Sequence, residues 1–402
     1  MKSHSEELAG VLVTGEGGTS SLAVVRCFGR RGIPVAYVDP FPRSMVTYSR
    51  YVKHRLICPS PYESESEFIN TLLEFGRESP GKLMIVPTAD DNVLAVAKHK
   101  RELEQFYHVP VVEFDTVEKL VNKRRFYKLL VEMQVPHPRT LFPDSLTELR
   151  QMGREIAYPY IIKPVYSKAF RRKFGVKCFV VDSEQDLDRA ADRLEGTQLE
   201  VMIQEIIPGR GTYKVMTYFN RASEPLAICG LDKIRYYPVD FGVGTFCQSM
   251  WRSSPVEQGI RFLKDIGYYG FGEPELKKDP RDGEYKFIEI NTRVIQQHQL
   301  AVSCGVDTAY IAYRDACGED VSETPAQREG LLWVEDFMDL LSFMIHLKRR
   351  EIGIGELVKA LHPRKVHSVA AWDDPAPFIV YAINSGFNAW RLLLKMLTGR
   401  RQ

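Results

Sequence analysis

Apolar residues recur with two different periods along the first part of the chain. A short apolar run at Val11 to Thr14 precedes the glycine loop Gly15 to Ser21, a helical pattern and a second apolar run from Ile33 to Asp39. Strand-like and helix-like patterns continue to alternate up to a last apolar run at Val109 to Val112. Alternation of this kind forms βαβ units, so we predict an open parallel α/β domain over residues 1–115.

The pattern changes after the proline-rich stretch Val135 to Thr140, in which no helix can continue. Beyond it, the basic segment Val165 to Lys177 has the length of a loop that folds over an anion. We predict a small α/β lid over residues 116–200, a central antiparallel sheet over 201–320 and a helical C-terminal extension over 321–402. The predicted fold class is a multidomain combination of α/β and α+β.

Composition excludes several classes of protein. The 402 residues exceed the size of about 250 to 300 at which single cores stop growing, so two or three domains are expected. Lys and Arg (54) nearly balance Asp and Glu (52), which gives no electrostatic reason to expect a nucleic-acid partner. The seven cysteines include no CxxC pair, and this argues against a disulfide framework or a zinc knuckle.

Targeting signals are not apparent in the sequence. The first residues lack the basic and apolar regions of a signal peptide, and no stretch of about 18 residues is apolar and uncharged. We therefore expect a cytoplasmic protein. The segment Phe387 to Arg401 is amphipathic with flanking cations, the form of a helix that lies on the inner face of a membrane; packing on the protein's own surface is the alternative.

Oxygen-bearing side chains cluster in one predicted hairpin. Residues two apart on a strand share a face, so Glu289 and Asn291 project together, and the partner strand can bring Glu275 beside them. Such oxygens suit Mg²⁺ that also binds nucleotide phosphates. Arg293 continues the same face and can hold an anion. A solvated hairpin face is the alternative interpretation.

Three further segments precede this hairpin in a fixed order. Lys123 lies in the stretch Val117 to Pro138, and Lys163 closes the short strand Ile161-Ile-Lys-Pro164. The segment Gln204 to Gly209 follows. Together with the hairpin and its N-x-R arginine, these segments resemble the ATP-grasp superfamily, and in particular its predicted carboligase branch, to which the D-aspartate ligases are similar.

The resemblance implies an ATP-grasp fold and an ATP-dependent carboxylate–amine ligase that works through an acyl phosphate. It implies ATP and Mg²⁺ as cofactors, with Mn²⁺ as a substitute, and small-molecule carboxylate and amine substrates; a homodimer is one expected assembly. The site residues that it implies are Lys123, Lys163, Lys168, Gln204, Glu205 and Ile207 for the nucleotide, Glu275, Glu289 and Asn291 for the metal, and Lys163 and Arg293 for catalysis.

Two features depart from the family's pattern. The basic segment has one glycine, Gly175, where relatives have a glycine-rich loop, so side-chain cations there would replace backbone amides. After the segment ending at Gly209, many relatives place an acidic residue for the ribose hydroxyls, whereas this chain has Arg210-Gly-Thr-Tyr-Lys214.

Other functions and other residues stay open at this point. An ATP-grasp carboxylase, a kinase-like phosphoryl transfer and a nucleotide-binding regulator without turnover are alternatives. Gly15-x-Gly17 with Asp39 imitates a dinucleotide fingerprint, but serine replaces its third glycine. His298 is either at the acceptor entrance or a structural histidine, and Asp90 is either a ligand group or a helix cap.

Overall fold

The computed structural model of the 402-residue chain describes residues 8–239, 241–321, 325–362 and 364–385. Its strands form a five-stranded sheet, a four-stranded sheet and a seven-stranded sheet. The segment Phe387 to Arg401 lies outside the described residues. Among the described residues, no helix is both long enough and apolar enough to cross a bilayer.

The five-stranded sheet is parallel, in the order β3-β2-β1-β4-β5. Every residue of β1, β2 and β4 is buried, as in parallel sheets that helices cover on both faces. The strands and helices of this part are β1 (Gly10–Thr14), α1 (Thr19–Gly29), β2 (Val35–Asp39), β3 (Val52–Ile57), α2 (Glu65–Glu78), β4 (Leu83–Pro87), α3 (Asp90–Lys98), α4 (Lys100–Leu103) and β5 (Tyr107–His108).

The predicted parallel α/β domain is confirmed, but its last strand is not where the apolar run placed it. That strand is Tyr107–His108, and Val111 forms only an isolated bridge with Gly270. Pro110 has no amide hydrogen to donate, which explains why strand pairing does not continue through it.

The four-stranded sheet, in the order β6-β9-β7-β8, forms the lid. Because β9 pairs with β6 and β7, this sheet extends past the boundary expected at residue 200. The elements are α5 (Phe114–Val121), α6 (Lys123–Glu132), β6 (Thr140–Leu141), α7 (Leu146–Arg154), β7 (Tyr160–Pro164), α8 (Ser167–Phe174), β8 (Phe179–Val181), α9 (Glu184–Leu194) and β9 (Val201–Glu205).

The basic segment is a helix, so the prediction of a loop was wrong. It forms α8 because residues 167–174 include no glycine or proline, and its apolar side chains lie one turn apart. Phe170 and Phe174 both pack on Phe179, with ring centroids 4.9 and 5.0 Å away. Gly175, at φ 71°, ends the helix in the left-handed conformation.

The seven-stranded sheet runs in the order β14-β13-β10-β11-β12-β15-β16. Its last two strands come from the C-terminal extension, which is therefore not only helical. The elements are β10 (Thr212–Phe219), β11 (Pro225–Tyr237), β12 (Val243–Ser249), α10 (Ser253–Asp265), β13 (Gly270–Lys278), β14 (Tyr285–Asn291), α11 (His298–Cys304), α12 (Thr308–Ala316), β15 (Leu332–Val334), α13 (Met338–Lys348), α14 (Ile354–Leu361), β16 (Lys365–His367) and a helix over 376–385.

Apolar packing joins the N-terminal sheet to the seven-stranded sheet. One core cluster runs from Val11 and Phe28 to Met216 and Trp333, and a second runs from Leu12 to Phe287. The lid has a separate cluster, whose buried members all lie between residues 149 and 203. The lid sheet therefore has a core of its own beside a frame formed by the other two sheets, and α5, α6, Val165 and Met202 pack into that frame.

Asp374, in the C-terminal extension, fastens that extension to the N-terminal sheet. Its buried carboxylate accepts hydrogen bonds from Arg26 Nε (3.0 Å), Ser49 Oγ (2.8 Å) and the Arg50 amide (2.9 Å). The neighbouring carboxylate, Asp373, is half exposed and pairs with Arg30. Ser49 and Arg50 therefore take part in the contact between the N-terminal sheet and the extension.

We expect Asp374→Ala to lower the free energy of unfolding by about 3–5 kcal/mol, because it leaves the Arg26 guanidinium buried without its partner. Asp373→Ala is the matched control and should cost about 1 kcal/mol or less, since its ion pair is solvated. Urea denaturation followed by circular dichroism measures both. Equal losses in the two variants would contradict the role of Asp374.

Candidate active site

A cleft of about 1580 Å³ lies between the three sheets. It receives side chains from the N-terminal sheet, the lid and the seven-stranded sheet alike. All ten residues singled out from the sequence line it: Lys123, Lys163, Lys168, Gln204, Glu205, Ile207, Glu275, Glu289, Asn291 and Arg293. The fold therefore brings together residues that are up to 170 positions apart, and the roles assigned to them stay predictions.

The β13–β14 hairpin places the acidic residues on the floor of the cleft. Its antiparallel register sets Glu275 opposite Glu289 and Glu273 opposite Asn291. The turn between the strands is fixed by Asp279, which is fully buried and accepts hydrogen bonds from Arg281 and Lys286. Two carboxylates with a neighbouring amide oxygen form a donor set that fits Mg²⁺.

Two buried lysines, which the sequence reasoning missed, neutralise this floor. Lys233 Nζ lies 2.7 Å from Glu275 Oε1, and Lys214 Nζ lies 3.2 Å from Glu275 Oε2. Burial alone would raise the pKa of Glu275, but Lys233 and Lys214 overcome this effect and hold that pKa well below its ordinary range. Both lysines lie at inward positions of predicted strands. A charged residue at such a position needs a buried partner, and this was the signal that could have identified them from the sequence.

Glu273 is a third buried carboxylate that the sequence reasoning missed. Its charged partner is Lys214, whose Nζ lies 2.5 Å from Oε1. Burial raises the pKa of Glu273 to about 7, and the Lys214 ammonium only partly opposes this rise. Lys214 thus bridges two carboxylates, and it holds β10 and β13 together through charge as well as through the backbone ladder.

The lid contributes cations that face the floor. Lys163, on β7, is buried, and its ammonium lies 3.3 Å from Tyr127 Oη and 4.8 Å from the centre of that ring. Burial, together with the nearby Lys123 ammonium, lowers the pKa of Lys163 to about 7. Lys177 behaves similarly, with its pKa lowered by burial to about 8. The lid therefore holds positive charge that an anion would stabilise.

Lys168, on α8, reaches the N-terminal sheet instead of the cleft floor. Its ammonium lies 2.5 Å from both Glu16 Oε1 and Asp91 Oδ2. Arg172 on the same helix pairs with Glu63 at 3.0 Å. These ion pairs hold α8 against the frame through partly or half-exposed groups, and pairs of this kind are individually weak.

Arg293 also forms an ion pair with the N-terminal α/β part of the chain. Its Nε lies 2.6 Å from Asp90 Oδ1, at the carboxyl end of the parallel sheet. The N-cap of α3 is Ala89, and both Asp90 and Asp91 lie in the first helical turn, so the interpretation of Asp90 as the cap was wrong. The frame thus presents carboxylates to the cleft where open parallel sheets bind ligands.

The end of β9 and the residues after it line one wall of the cleft. Gln204 Nε2 donates to Thr140 Oγ1 at 2.8 Å, and the Glu205 carboxylate binds the Arg139 amide and Arg281. Glu205, Ile206 and Ile207 are among the residues of this wall. Arg210, four residues after Ile206, turns away toward the C-terminal extension.

Two other residues considered from the sequence, His298 and Asp39, are held by contacts within the protein. His298 is buried beside Asp307 and Thr308 and is not among the residues that line the cleft, which favours its structural interpretation. Asp39 is fully buried and bound by Ser44 Oγ and the Phe41 amide, so its carboxylate does not face a ribose site.

Comparison with known proteins agrees with this geometry. The family described as "Carbamoyl-phosphate synthase L chain, ATP binding domain" matches residues 248–324, the part that includes the β13–β14 hairpin. The D-aspartate ligase of Enterococcus faecium (strain Aus0004) is 26% identical over 262 residues, which are 61% of this chain and 62% of that protein. The carbamoyl phosphate synthase large chain of Mycobacterium sp. (strain JLS) is 22% identical over 76% of this chain, but this span is only 28% of its own length.

Solved structures show the same fold at low identity. The L-amino acid ligase of Bacillus licheniformis superposes with a TM-score of 0.61 at 16% identity, covering 81% of this chain and 79% of that one. The biotin carboxylase domain of Hydrogenobacter thermophilus 2-oxoglutarate carboxylase superposes with a TM-score of 0.63 at 17% identity, covering 81% and 73%. The chain therefore has the ATP-grasp fold, and it is similar in sequence to D-aspartate ligase over 61% of its length.

Proposed function

We propose that this protein is an ATP-dependent carboxylate–amine ligase. The observation that carries the proposal is the Glu275–Glu289 pair on the cleft floor, with Asn291 next to it and the buried Lys163 across the cleft. Such a site binds a nucleotide triphosphate between acidic residues that hold a metal and cations that hold phosphate. The sequence similarity to D-aspartate ligase supports an amine as the acceptor.

The reaction proceeds in two displacement steps. A substrate carboxylate oxygen attacks the γ-phosphorus of ATP, and the bond to ADP breaks, giving an acyl phosphate. The amine nitrogen then attacks the acyl carbon, inorganic phosphate leaves, and the nitrogen loses a proton as the amide forms. No protein nucleophile is needed, so the side chains act by binding, orientation and charge stabilisation.

The cleft residues divide these tasks between the two sides. Lys123 and Lys163 hold the transferring phosphate, and Arg293 orients the carboxylate that becomes the acyl phosphate. Glu205 and Ile207 contact the adenine edge through their backbone groups. When ATP enters, Lys168 leaves Glu16 and Asp91 and binds the phosphates. This would replace two partly exposed ion pairs by one ion pair with a more highly charged group.

Glu275, Glu289 and Asn291 would hold Mg²⁺, or Mn²⁺ in its place, and this ion would neutralise the phosphate charge that develops during transfer. A metal here also replaces part of the charge that Lys233 and Lys214 now supply to Glu275. We place the enzyme in the cytoplasm, acting on small-molecule carboxylates and amines.

We expect ADP and phosphate release from Mg-ATP to require both a carboxylate and an amine, and an amide to be the product. A panel of amino acids, short peptides and other carboxylates, read by coupled ADP assay and mass spectrometry, tests this. An amide distinguishes ligation from carboxylation or phosphoryl transfer to an alcohol. Binding of ATP without release from any pair would instead support the non-catalytic regulator.

We expect Glu289→Ala to lower the rate of ADP release by at least about 100-fold, because the metal loses one of its two carboxylates. Glu284→Ala is the matched control, since Glu284 lies in the turn of the same hairpin, is exposed and does not line the cleft. Unchanged turnover in the Glu289 variant would exclude this hairpin as the metal site.

ATP affinity should fall as pH rises above about 7. Lys163 has a pKa lowered by burial to about 7, so below that value it is charged and attracts phosphate, and above it the unbound protein holds it neutral. Binding then takes up a proton, and the Kd of ATP should rise by up to about tenfold per pH unit. Calorimetry in buffers of different ionisation enthalpy measures the proton uptake.

Lys163→Arg should remove this pH dependence, because an arginine stays charged throughout the range. Lys264→Arg, on the exposed face of α10, is the control and should keep the dependence. Proton uptake that survives in the Lys163 variant would assign the effect to another group.

A further inference from the structure

The C-terminal extension forms one end of the cleft through helix α13, whose polar residues face inward. Asp339, Ser342 and His346 are buried, whereas Leu340 and Met344 are about 60% exposed. Spacings of three and four residues place the three polar side chains on one helical face. The helix therefore docks on the frame through hydrogen bonds and ion pairs instead of an apolar stripe.

Each of these contacts is made to an element that borders the cleft. Asp339 accepts from Arg235 Nε at 2.9 Å, and Ser342 Oγ donates to the Tyr236 carbonyl at 2.7 Å, both on β11. At the other end, Arg210 donates to Glu351 Oε2 at 2.6 Å and lies 3.0 Å from His346 Nδ1. The extension is thus fixed to the turn that follows the adenine-facing segment.

His346 has one ring nitrogen available for a ligand. It is 6% exposed, it lines the cleft, and its Nδ1 lies 2.7 Å from Glu351 Oε2. Its Nε2 is buried and has no hydrogen-bond partner among the described residues. Nδ1 lies near both Arg210 and Glu351, so either contact can occupy it, and in each case Nε2 is a buried polar nitrogen whose missing hydrogen bond is costly unless a ligand supplies the partner.

The sequence positions of the cleft residues indicate which part of the nucleotide lies beside His346 Nε2. Only four residues lie between Ile207, which we assign to the adenine edge, and Thr212, whose Oγ1 donates at 2.5 Å to Glu275 of the proposed metal site. The sugar joins the base to the phosphates, so it must lie over the turn between those two residues. Arg210 is in that turn, and His346 is beside it.

We propose that His346 binds a hydroxyl group of the ribose through Nε2, so that the C-terminal extension completes the nucleotide site. This proposal rests on the proposed function, because it takes ATP as the occupant of the cleft. It gives the extension a direct part in nucleotide specificity, and it assigns the sugar contact to a residue more than 130 positions after the adenine-facing segment.

The test compares binding of Mg-ADP, Mg-2′-deoxy-ADP and Mg-3′-deoxy-ADP to the full-length protein by calorimetry. Wild-type protein should bind ADP about fivefold to tenfold more tightly than the analogue that lacks the contacted hydroxyl. His346→Ala should weaken ADP by that factor and leave the affinity for that analogue within about twofold, so the discrimination disappears. His362→Ala, an exposed histidine of the same extension, is the matched control and should keep it.

Three results would overturn the proposal: equal binding of all three nucleotides by the wild type, discrimination that survives in His346→Ala, or an equal loss for all three in that variant, which marks a structural role. The wild-type comparison decides even where the alanine variant does not fold. The assay needs no acceptor, so it does not depend on ligase activity. A wild type that binds no ADP would overturn both proposals, whereas binding without sugar discrimination would overturn this one alone.

Discussion

The architecture of the cleft depends on how charge is compensated on its floor. Glu273, Glu275, Lys214 and Lys233 are all at least nine-tenths buried, and each has an opposite charge within 3.2 Å. A single charge of this kind removed from water would cost several kcal/mol, so none of the four can be tolerated alone. Their pairing requires β10, β11 and β13 to be in one register, which in turn sets Glu275 opposite Glu289.

The division of the molecule into a frame and a lid follows from where apolar surface is shared. The N-terminal sheet and the seven-stranded sheet bury residues in common clusters, and the buried Asp374–Arg26 pair adds a charged contact at their edge. The lid sheet has its own core, but α5, α6, Val165 and Met202 pack into the second cluster of the frame, and α8 touches the frame through partly exposed ion pairs such as Lys168 with Glu16. The contacts of α8 are therefore weaker than the apolar contacts at the base of the lid.

The C-terminal extension contributes both to the frame and to the cleft. It adds two strands to the central sheet, fastens the N-terminal sheet through Asp374, and places α13 beside the turn at Arg210. Helix α13 buries its polar face and exposes its apolar face, so the contribution of the extension to the cleft is not apparent from the sequence. An amphipathic pattern is normally interpreted with its apolar side inward, whereas here Asp339 and His346 are the buried positions.

The sequence by itself determined the parallel α/β start and the β13–β14 hairpin, because period, turn chemistry and same-face spacing are local properties. The set of cleft residues came from the resemblance of the sequence to the ATP-grasp superfamily. The sequence did not determine that residues 167–174 form a helix, because packing of Phe170 and Phe174 on Phe179 decides between helix and loop. Nor could it assign Lys214 or Lys233 to the floor, pair Glu273 with Lys214 beneath it, or pair Arg293 with Asp90, 203 positions away. Those partners are set by strand order and domain packing. A buried charged side chain needs an opposite charge beside it, and only the tertiary structure shows which residue supplies that charge.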